Sequence, residues 1–178
     1  MACESENLLG TIRADSGIRK LEEHLKSLCE KNKDHQNHDW STSILQNISI
    51  VSHSSSPPHP CATFRFTVQS LHSNFLGNLH GGCASTVFDI CTTLSLNLIS
   101  RPGFWEYGGV SRTLNVTYLR PVPVGTTVEI ECEITHAGQR LSSLRGVMRI
   151  AANDGMQGLI LSTCEHTKFN TDPPVQKL

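Results

Sequence analysis

Asp89 is the residue of this chain whose surroundings most clearly predict chemistry. It is the only charged residue between His80 and Ser100, inside a long apolar segment. A carboxylate at such a position costs free energy unless it is paired or hydrogen-bonded. Two interpretations follow from the residue alone. Asp89 is either a base or nucleophile, or a structural aspartate bonded to a neighbouring serine or threonine.

The tripeptide His80-Gly81-Gly82 lies just before this segment. Glycine lets a backbone approach a ligand closely, and the first turn of a helix offers unpaired N–H groups and a positive dipole end. Such a turn can stabilise negative charge on a carbonyl oxygen. Gly82 and Asp89 are seven residues apart, which is about 10 Å along a helix. The spacing therefore favours a site shared between two subunits.

Two further polar residues could border such a site. Asn74 lies in an irregular segment before His80, and Ser111 lies in a predicted strand after the helix. Taken singly, each is also typical of an ordinary turn or strand.

The segment from Cys83 to Ile99 must position Asp89, and its periodicity predicts one long helix. One half of the helical wheel is apolar, whereas the other carries hydroxyl groups and the aspartate without any lysine or glutamate. A water-facing helix would carry such charges. We therefore expect a helix buried on every side. The apolar half comprises Ala84, Val87, Phe88, Ile90, Cys91, Leu94, Leu98 and Ile99, and the polar half comprises Ser85, Asp89, Thr92 and Thr93.

Alternating apolar residues predict strands on both sides of this helix. A hairpin with a loose loop precedes the helix, and an antiparallel meander follows it. This order predicts an α+β fold with a helix packed on one face of a sheet. The predicted strands cover 44–51, 61–68, 110–118, 127–135, 144–151 and 158–169.

The first 40 residues differ from the rest. Ser16 could cap a helix over 17–33 with an apolar stripe that includes Leu21 and Leu25. This helix either packs on the domain surface or covers a partner or a substrate mouth. The predicted organisation is an N-terminal helical arm and loop over 1–40, one domain over 41–172, and a tail over 173–178.

Composition limits the classes of function. A net charge of −1 over 178 residues gives no support for nucleic-acid binding. Seven cysteines without C-x-x-C spacing predict free thiols in a reducing compartment, and no metal site or cofactor is expected. No apolar run is long enough to cross a bilayer, and the N-terminus lacks a secretory signal. We therefore expect a cytoplasmic or mitochondrial protein that is not secreted.

Motifs in the same region resemble a known family. Gly77-Asn78-Leu79-His80-Gly81-Gly82, then Asp89, then Val110-Ser111 and Asn115-Val116-Thr117-Tyr118 resemble the phenylacetate-type (PaaI-like) hotdog thioesterases. The similarity covers about residues 60–170 and is greatest to the small eukaryotic acyl-CoA thioesterase 13 subgroup. It implies a hotdog fold, in which a curved antiparallel sheet wraps a long central helix. It also implies homodimers that pair into homotetramers, with acyl-CoA bound between subunits.

The resemblance implies a role for each candidate residue. Asn74 and the Gly81 N–H would polarise the thioester carbonyl, and Asp89 of the neighbouring subunit would activate or orient water. Ser111 would help to hold that water, and His80 would position rather than act as a base. Coenzyme A would lie along two segments, where Arg120 and Arg140 are either phosphate partners or solvated charges. The implied substrate-binding residues are His80, Gly82, Tyr118, Leu119, Arg120, Pro121, His136, Gly138, Gln139 and Arg140.

Three functions remain open at this stage. The first is hydrolysis of an acyl-CoA to a free acid and coenzyme A. The second is a hotdog hydratase or dehydratase, which would use a histidine base. The third is a non-catalytic acyl-CoA-binding subunit, since a fold does not fix a function. Arg112-Thr113 depart from the family pattern, which carries a small residue and an acid there.

Overall fold

The computed structural model of this protein describes residues 11–31, 41–151 and 158–173. Helix α1 (Thr11–Lys31) begins six residues before the predicted start, so Ser16 lies inside the helix instead of capping it. Leu21 is fully buried in the main core, and Leu25 and Leu28 pack against that core. The helix therefore lies on the domain through its apolar stripe. The predicted loop that follows it and most of the predicted tail lie outside the described residues.

A short helix replaces the start of the first predicted strand. Helix α2 (Thr42–Leu45) precedes strand β1 (Ile48–Ser54), so the prediction of a strand from Ile44 is wrong. The backbone N–H groups of Ile44 and Leu45 both donate to the carbonyl oxygen of Ser41. This turn buries both apolar side chains, which a continuing strand would place on opposite faces.

Within the described residues, six strands form one antiparallel sheet in the order β1-β2-β4-β5-β6-β3. Apart from the start of β1, the predicted bounds of the strands agree with those observed to within about three residues. After β1 the strands are β2 (Cys61–Thr67), β3 (Val110–Tyr118), β4 (Thr127–Ala137), β5 (Leu141–Ile150) and β6 (Ile160–Phe169).

Strand β3 departs from the predicted meander. It pairs with β6 at one edge of the sheet, and β4 pairs instead with β2. The segment after Tyr118 therefore carries the chain from the edge back to the middle of the sheet. No residue of β3 is fully buried. An exposed edge strand has N–H and C=O groups that can pair with a strand of another chain.

The long helix α3 (Gly81–Ser95) packs on one face of the sheet and continues as a short 3-10 turn over Leu96–Leu98. Val87, Phe88 and Cys91 are fully buried against the sheet. The opposite side is open in the single chain, where the Asp89 side chain is 43% exposed. The expectation of a helix buried on every side is therefore wrong for one chain. The long helix on an antiparallel sheet confirms the predicted α+β hotdog fold.

Gly146 allows α3 to approach the sheet closely. A Cβ at this position would lie 2.7 Å from Cδ1 and 2.9 Å from Cε1 of Phe88, which is fully buried. We expect Gly146→Ala to lower the free energy of unfolding by about 1–3 kcal/mol, because the added methyl group overpacks the core. Urea unfolding would show this as a lower midpoint with an unchanged slope. An unchanged midpoint would contradict this account of the contact.

The described cysteines behave mainly as small apolar residues. Cys83, Cys91, Cys132 and Cys164 are free thiols, and the Cys29 thiol donates to the Leu45 carbonyl oxygen at 3.6 Å. Burial raises the pKa of the Cys83 thiol to about 11, so it stays protonated and is a poor nucleophile. Cys61 is bonded in a disulfide, so the prediction of free thiols is wrong at that position. No helix within the described ranges is both long and apolar enough to cross a membrane.

Candidate active site

Asp89 and Ser111 lie together, where the middle of α3 meets the start of β3. Ser111 Oγ donates to Asp89 Oδ1 across 2.7 Å. Within the described chain no hydrogen bond reaches Asp89 Oδ2, and the side chain is partly exposed. The carboxylate is therefore held at one oxygen and presents the other to solvent. An acceptor held in this way can take a proton from water.

His166 is a member of this cluster that the sequence analysis missed. It is fully buried on the helix-facing side of β6. Its Nε2 lies 3.0 Å from Ser111 Oγ and 3.4 Å from Asp89 Oδ1. Its Nδ1 lies 2.7 Å from Thr92 Oγ1 on α3. The imidazole therefore links the polar side of the helix to the serine that holds Asp89.

The hydrogen bonds define the tautomer of His166. A hydroxyl has one hydrogen, and a carboxylate only accepts, so the Ser111 hydrogen belongs to the bond with Asp89. Nε2 of His166 must then carry the hydrogen that it shares with Ser111. Burial is the largest cause that lowers the pKa of His166 to about 4, followed by the charge of Lys168. The ring is neutral at pH 7, so its Nδ1 carries no hydrogen. The single hydroxyl hydrogen of Thr92 is shared between His166 Nδ1 at 2.7 Å and the Phe88 carbonyl oxygen at 2.6 Å.

Lys168 is the second missed member of the cluster. Only 3% of this residue is exposed, and its Nζ donates to Thr93 Oγ1 at 2.8 Å and to Ser111 Oγ at 3.4 Å. Burial lowers the pKa of Lys168, while the nearby Asp89 carboxylate acts in the opposite direction. The four side chains of Asp89, Ser111, His166 and Lys168 form one connected group, which we call the Asp89 cluster.

A sequence signal for these two residues was present. Cys164, His166 and Lys168 alternate in the predicted strand over 158–169, so they share one face of the sheet. That face carries the buried Cys164, so it packs against another element. The predicted helix has a polar half with hydroxyl groups but no charged partner for Asp89, and it is the element expected to pack there. Matching the polar half of the helix to this polar strand face would have predicted the contact.

His166 should make the stability of the protein depend on pH. The folded pKa lies near 4 and the ordinary value near 6.5, so the unfolded chain binds the extra proton between these values. The free energy of unfolding therefore falls as the pH drops from about 6.5 to 4, by roughly 3 kcal/mol at most from this group. We expect a flatter profile for His166→Gln in urea titrations across this range. Parallel profiles would contradict the prediction.

The start of α3 forms a second group, in which His80 caps the helix. Nδ1 of His80 accepts the Gly82 N–H at 3.0 Å, and the Ala84 N–H donates to the His80 carbonyl oxygen. The Gly81 N–H makes no hydrogen bond to any described residue. His80 therefore occupies the Gly82 donor and leaves the Gly81 donor free at the positive end of the helix.

Asn74 lies across from this helix start. Its Oδ1 accepts the backbone N–H groups of Leu76 and Asn78, at 3.0 Å and 3.2 Å. These two donors define which side-chain atom is the oxygen. Its amide nitrogen has no hydrogen-bond partner in the part of the chain that the structure describes. Asn74 therefore uses its oxygen to hold the loop, while its N–H₂ group is unpaired among the described residues.

Asn74 and Gly81 both line one cavity of about 400 Å³. The walls are mainly apolar and come from the 74–84 segment and the end of β3. Tyr118 forms part of the wall, and its hydroxyl donates to the Gly81 carbonyl oxygen at 2.8 Å and lies 2.7 Å from Ser85 Oγ. The cavity is lined by Asn74, Leu76, Asn78, Leu79, Gly81, Ala84, Tyr118, Leu119, Arg120, Pro121, Val122 and Ser162.

The structure separates the predicted site residues into two sets within one chain. One set surrounds the cavity, where Tyr118 pairs with Ser162 at the beginning of β6. The other set lies near the end of β6, where Ser111 pairs with Lys168 and Asn170 donates to the Arg140 carbonyl oxygen. The cavity set is Asn74, Gly81, Tyr118, Leu119, Arg120 and Pro121, with His80 and Gly82 next to Gly81 in the chain but not in the cavity wall. The other set is Asp89, Ser111, His136, Gly138, Gln139 and Arg140.

The two predicted coenzyme A segments are therefore not neighbours in one chain. Ser162 and Asn170, just after β6, are eight residues apart in extended chain, which is about 26 Å. Arg120 uses Nη1 to donate to the Ile160 carbonyl oxygen, and its side chain borders the cavity. Among the described residues, no group of three or more histidine, cysteine or acidic side chains could hold a metal ion.

Comparisons with known proteins agree with this architecture. The family model described as Thioesterase superfamily matches residues 76–154. Mouse acyl-coenzyme A thioesterase 13 is 27% identical over 125 residues, which is 70% of this chain and 81% of that protein. Residues 76–154 therefore match the thioesterase superfamily, and these findings confirm the resemblance drawn from the motifs.

Solved structures show the same fold. Mouse thioesterase superfamily member 2 superposes with a TM-score of 0.63 at 24% identity, covering 85% of this chain and 95% of that chain. The Escherichia coli PaaI protein from the phenylacetic acid degradation operon superposes with a TM-score of 0.62 at 14% identity, covering 88% and 94%.

Proposed function

We propose that this protein hydrolyses acyl-CoA thioesters to free acids and coenzyme A. One arrangement along α3 carries the proposal. At the start of the helix, Gly81 has an N–H that is unpaired among the described residues, and Gly81 and Asn74 line the same cavity. In the middle of the helix, Ser111 holds the Asp89 carboxylate. Donors for a carbonyl oxygen and an acceptor for a water proton are the two groups that acyl transfer to water requires. The name of the mouse relative, acyl-coenzyme A thioesterase 13, supports the substrate class.

In the proposed reaction, the thioester oxygen accepts hydrogen bonds from Asn74 Nδ2 and the Gly81 N–H. These donors stabilise the oxygen as it becomes negative. The free oxygen of Asp89 takes a proton from water, whose oxygen forms a bond to the thioester carbon. The carbon–sulfur bond then breaks, and the coenzyme A thiolate receives the proton from Asp89. The products are the acid and the free thiol, and Asp89 returns to its carboxylate form.

We propose that each site combines two subunits. Gly81 and Asp89 are eight residues apart on α3, which is about 12 Å along the axis, too far for both to reach one carbonyl group. Strand β3 carries Ser111 at its beginning and is an exposed edge strand. Antiparallel pairing of two such edges would build a dimer, and would set Asp89 of one chain against Gly81 of the other.

A shared site also brings together the proposed coenzyme A segments. The cavity segment with Arg120 would come from one subunit and the segment from His136 to Arg140 from its partner. Arg120 has guanidinium N–H groups beyond the one bound to Ile160, and these are suited to phosphate. We propose that two such dimers form a homotetramer, which sedimentation equilibrium would test.

The hydratase alternative has less support. It requires a histidine base next to the reacting carbon, whereas His80 uses Nδ1 to accept from Gly82 and His166 is fully buried. A histidine base needs a free basic nitrogen that can reach the cavity, and neither His80 nor His166 meets both conditions. We therefore assign His80 to capping and positioning.

The experiment that tests the proposed function is thiol release from a panel of acyl-CoAs. The panel runs from acetyl to stearoyl and includes phenylacetyl-CoA, and the free thiol is followed with a chromogenic disulfide. We expect turnover of at least one substrate with saturation kinetics. Binding of coenzyme A without turnover of any panel member would favour the non-catalytic alternative and reject hydrolysis.

A further inference from the structure

The Asp89 cluster contains a buried cation that hydrolysis by Asp89 alone does not require. We propose that Lys168 is a positioning residue that directs the Ser111 hydroxyl onto Asp89 and keeps His166 in its hydrogen-donating neutral form. This inference rests on the proposed hydrolysis and deepens it, since it assigns a role to a residue that does not touch the substrate. It is carried by the geometry around Ser111.

All hydrogen-bonding positions of the Ser111 hydroxyl are occupied. A hydroxyl has one hydrogen to donate and two lone pairs that accept. His166 Nε2 at 3.0 Å and Lys168 Nζ at 3.4 Å approach Ser111 Oγ as donors. The hydrogen of Ser111 is then left for Asp89 Oδ1 at 2.7 Å. Two donors therefore determine the direction of the third bond, which orients the carboxylate.

The burial of Lys168 makes the presence of a lysine at this position informative. Removing an ammonium group from water is costly unless it is compensated, and an apolar side chain of similar length would avoid that cost. Nζ is anchored by Thr93 Oγ1 at 2.8 Å, which aims it at the Ser111 hydroxyl. The carboxylate that acts on Lys168 is Asp89, one hydroxyl group away. The position of the cation therefore matches the position of the reactive anion.

The charges around the cluster determine what Lys168 does to His166. Helix α3 presents Asp89, β6 presents Cys164, His166 and Lys168, and β3 presents Ser111, with the exposed Arg112 next to it. Cys164 stays protonated because burial and the Asp89 charge raise its pKa to about 12. Lys168 is thus the inward-facing cation of the described cluster, and it disfavours a second positive charge on His166.

Replacing the cation should disturb both partners. In Lys168→Met, Ser111 loses one of its two donors, and the neutral form of His166 is no longer favoured by a neighbouring charge. We expect kcat to fall about tenfold or more with KM changed less than twofold, because the carboxylate is misplaced while the cavity is intact. We also expect the pKa of His166 to rise above its value near 4 in NMR titrations, with the signal assigned through His166→Gln.

The controls separate this inference from the proposed function. Lys26→Met removes an exposed lysine of α1 whose ion-pair partner among the described residues is Glu30. It should change neither kcat nor the His166 titration. An unchanged His166 titration together with an unchanged kcat in Lys168→Met would overturn the inference. A second outcome is a shifted His166 titration in Lys168→Met combined with a wild-type protein that hydrolyses no acyl-CoA. That outcome would reject the proposed hydrolysis and, with it, the positioning role. If Lys168→Met does not fold, Lys168→Gln, which also lacks the charge, serves for both measurements.

Discussion

Asp89→Asn is expected to lower kcat for acyl-CoA hydrolysis by at least about a hundredfold, the effect of losing a general base. The substitution preserves the shape of the side chain, and the amide oxygen still accepts the Ser111 hydrogen that now reaches Oδ1 at 2.7 Å. It removes the basicity of the second oxygen. KM should change little, because the proposed role of Asp89 is to take a proton from water and not to bind the thioester. Initial rates over a range of acyl-CoA concentrations would measure both constants.

Glu165→Gln provides a matched control for this substitution. Glu165 neighbours His166 in β6 but is exposed on the opposite face of the sheet, so the same acid-to-amide change should leave kcat unaltered. Unfolding midpoints of both variants would show whether the fold is intact. A folded Asp89→Asn protein with near wild-type kcat would exclude Asp89 as the base and would leave the two carbonyl donors as the catalytic groups.

Local patterns predicted most of the fold. The alternation of Val128, Ile130, Cys132 and Ile134 predicted β4, and all four side chains are buried as that alternation requires. The predicted bounds of β3 coincide with those observed. Its place beside β6 was not predicted, because the order of strands depends on long-range pairing that no local period encodes. Ile44 misled the prediction because a buried apolar residue fits a helical turn as well as a strand.

The candidate site was predictable in its local parts. A lone acid in an apolar segment and glycines before a helix are visible in the sequence, and the structure places Asp89 beside Ser111 and Gly81 beside Asn74. His166 and Lys168 were missed because each is ordinary when considered alone. Their significance comes from the register of β6 beneath α3, which places them at Thr92 and Thr93. Tertiary contact, rather than residue type, distinguishes them.

A mixture of two inactive variants is expected to recover about one quarter of wild-type activity if the site is shared between subunits. One variant is Asn74→Ala, which loses an oxyanion donor. Its kcat should be about a hundredfold or more below that of the wild type. The other is Asp89→Asn. A site that draws Asn74 from one chain and Asp89 from its partner is intact in about one arrangement in four when the chains combine at random and in equal amounts.

The same mixture distinguishes a shared site from one within a single chain. If Asn74 and Asp89 acted in one chain, every site would carry one defect, and the mixture would stay at the level of the separate variants. Co-expression with two different affinity tags, followed by purification on both, shows that mixed oligomers are present when activity is measured. Because this step removes the unmixed oligomers, the expected recovery rises above one quarter, to about one half for a dimer. The 12 Å estimate along α3 and the separation of Gly81 in the cavity from Asp89 beside Ser111 both favour recovery. Activity no higher than that of the separate variants in a doubly purified oligomer would contradict the shared site. It would require α3 and β3 to move so that Asn74 and Asp89 of one chain reach the same substrate.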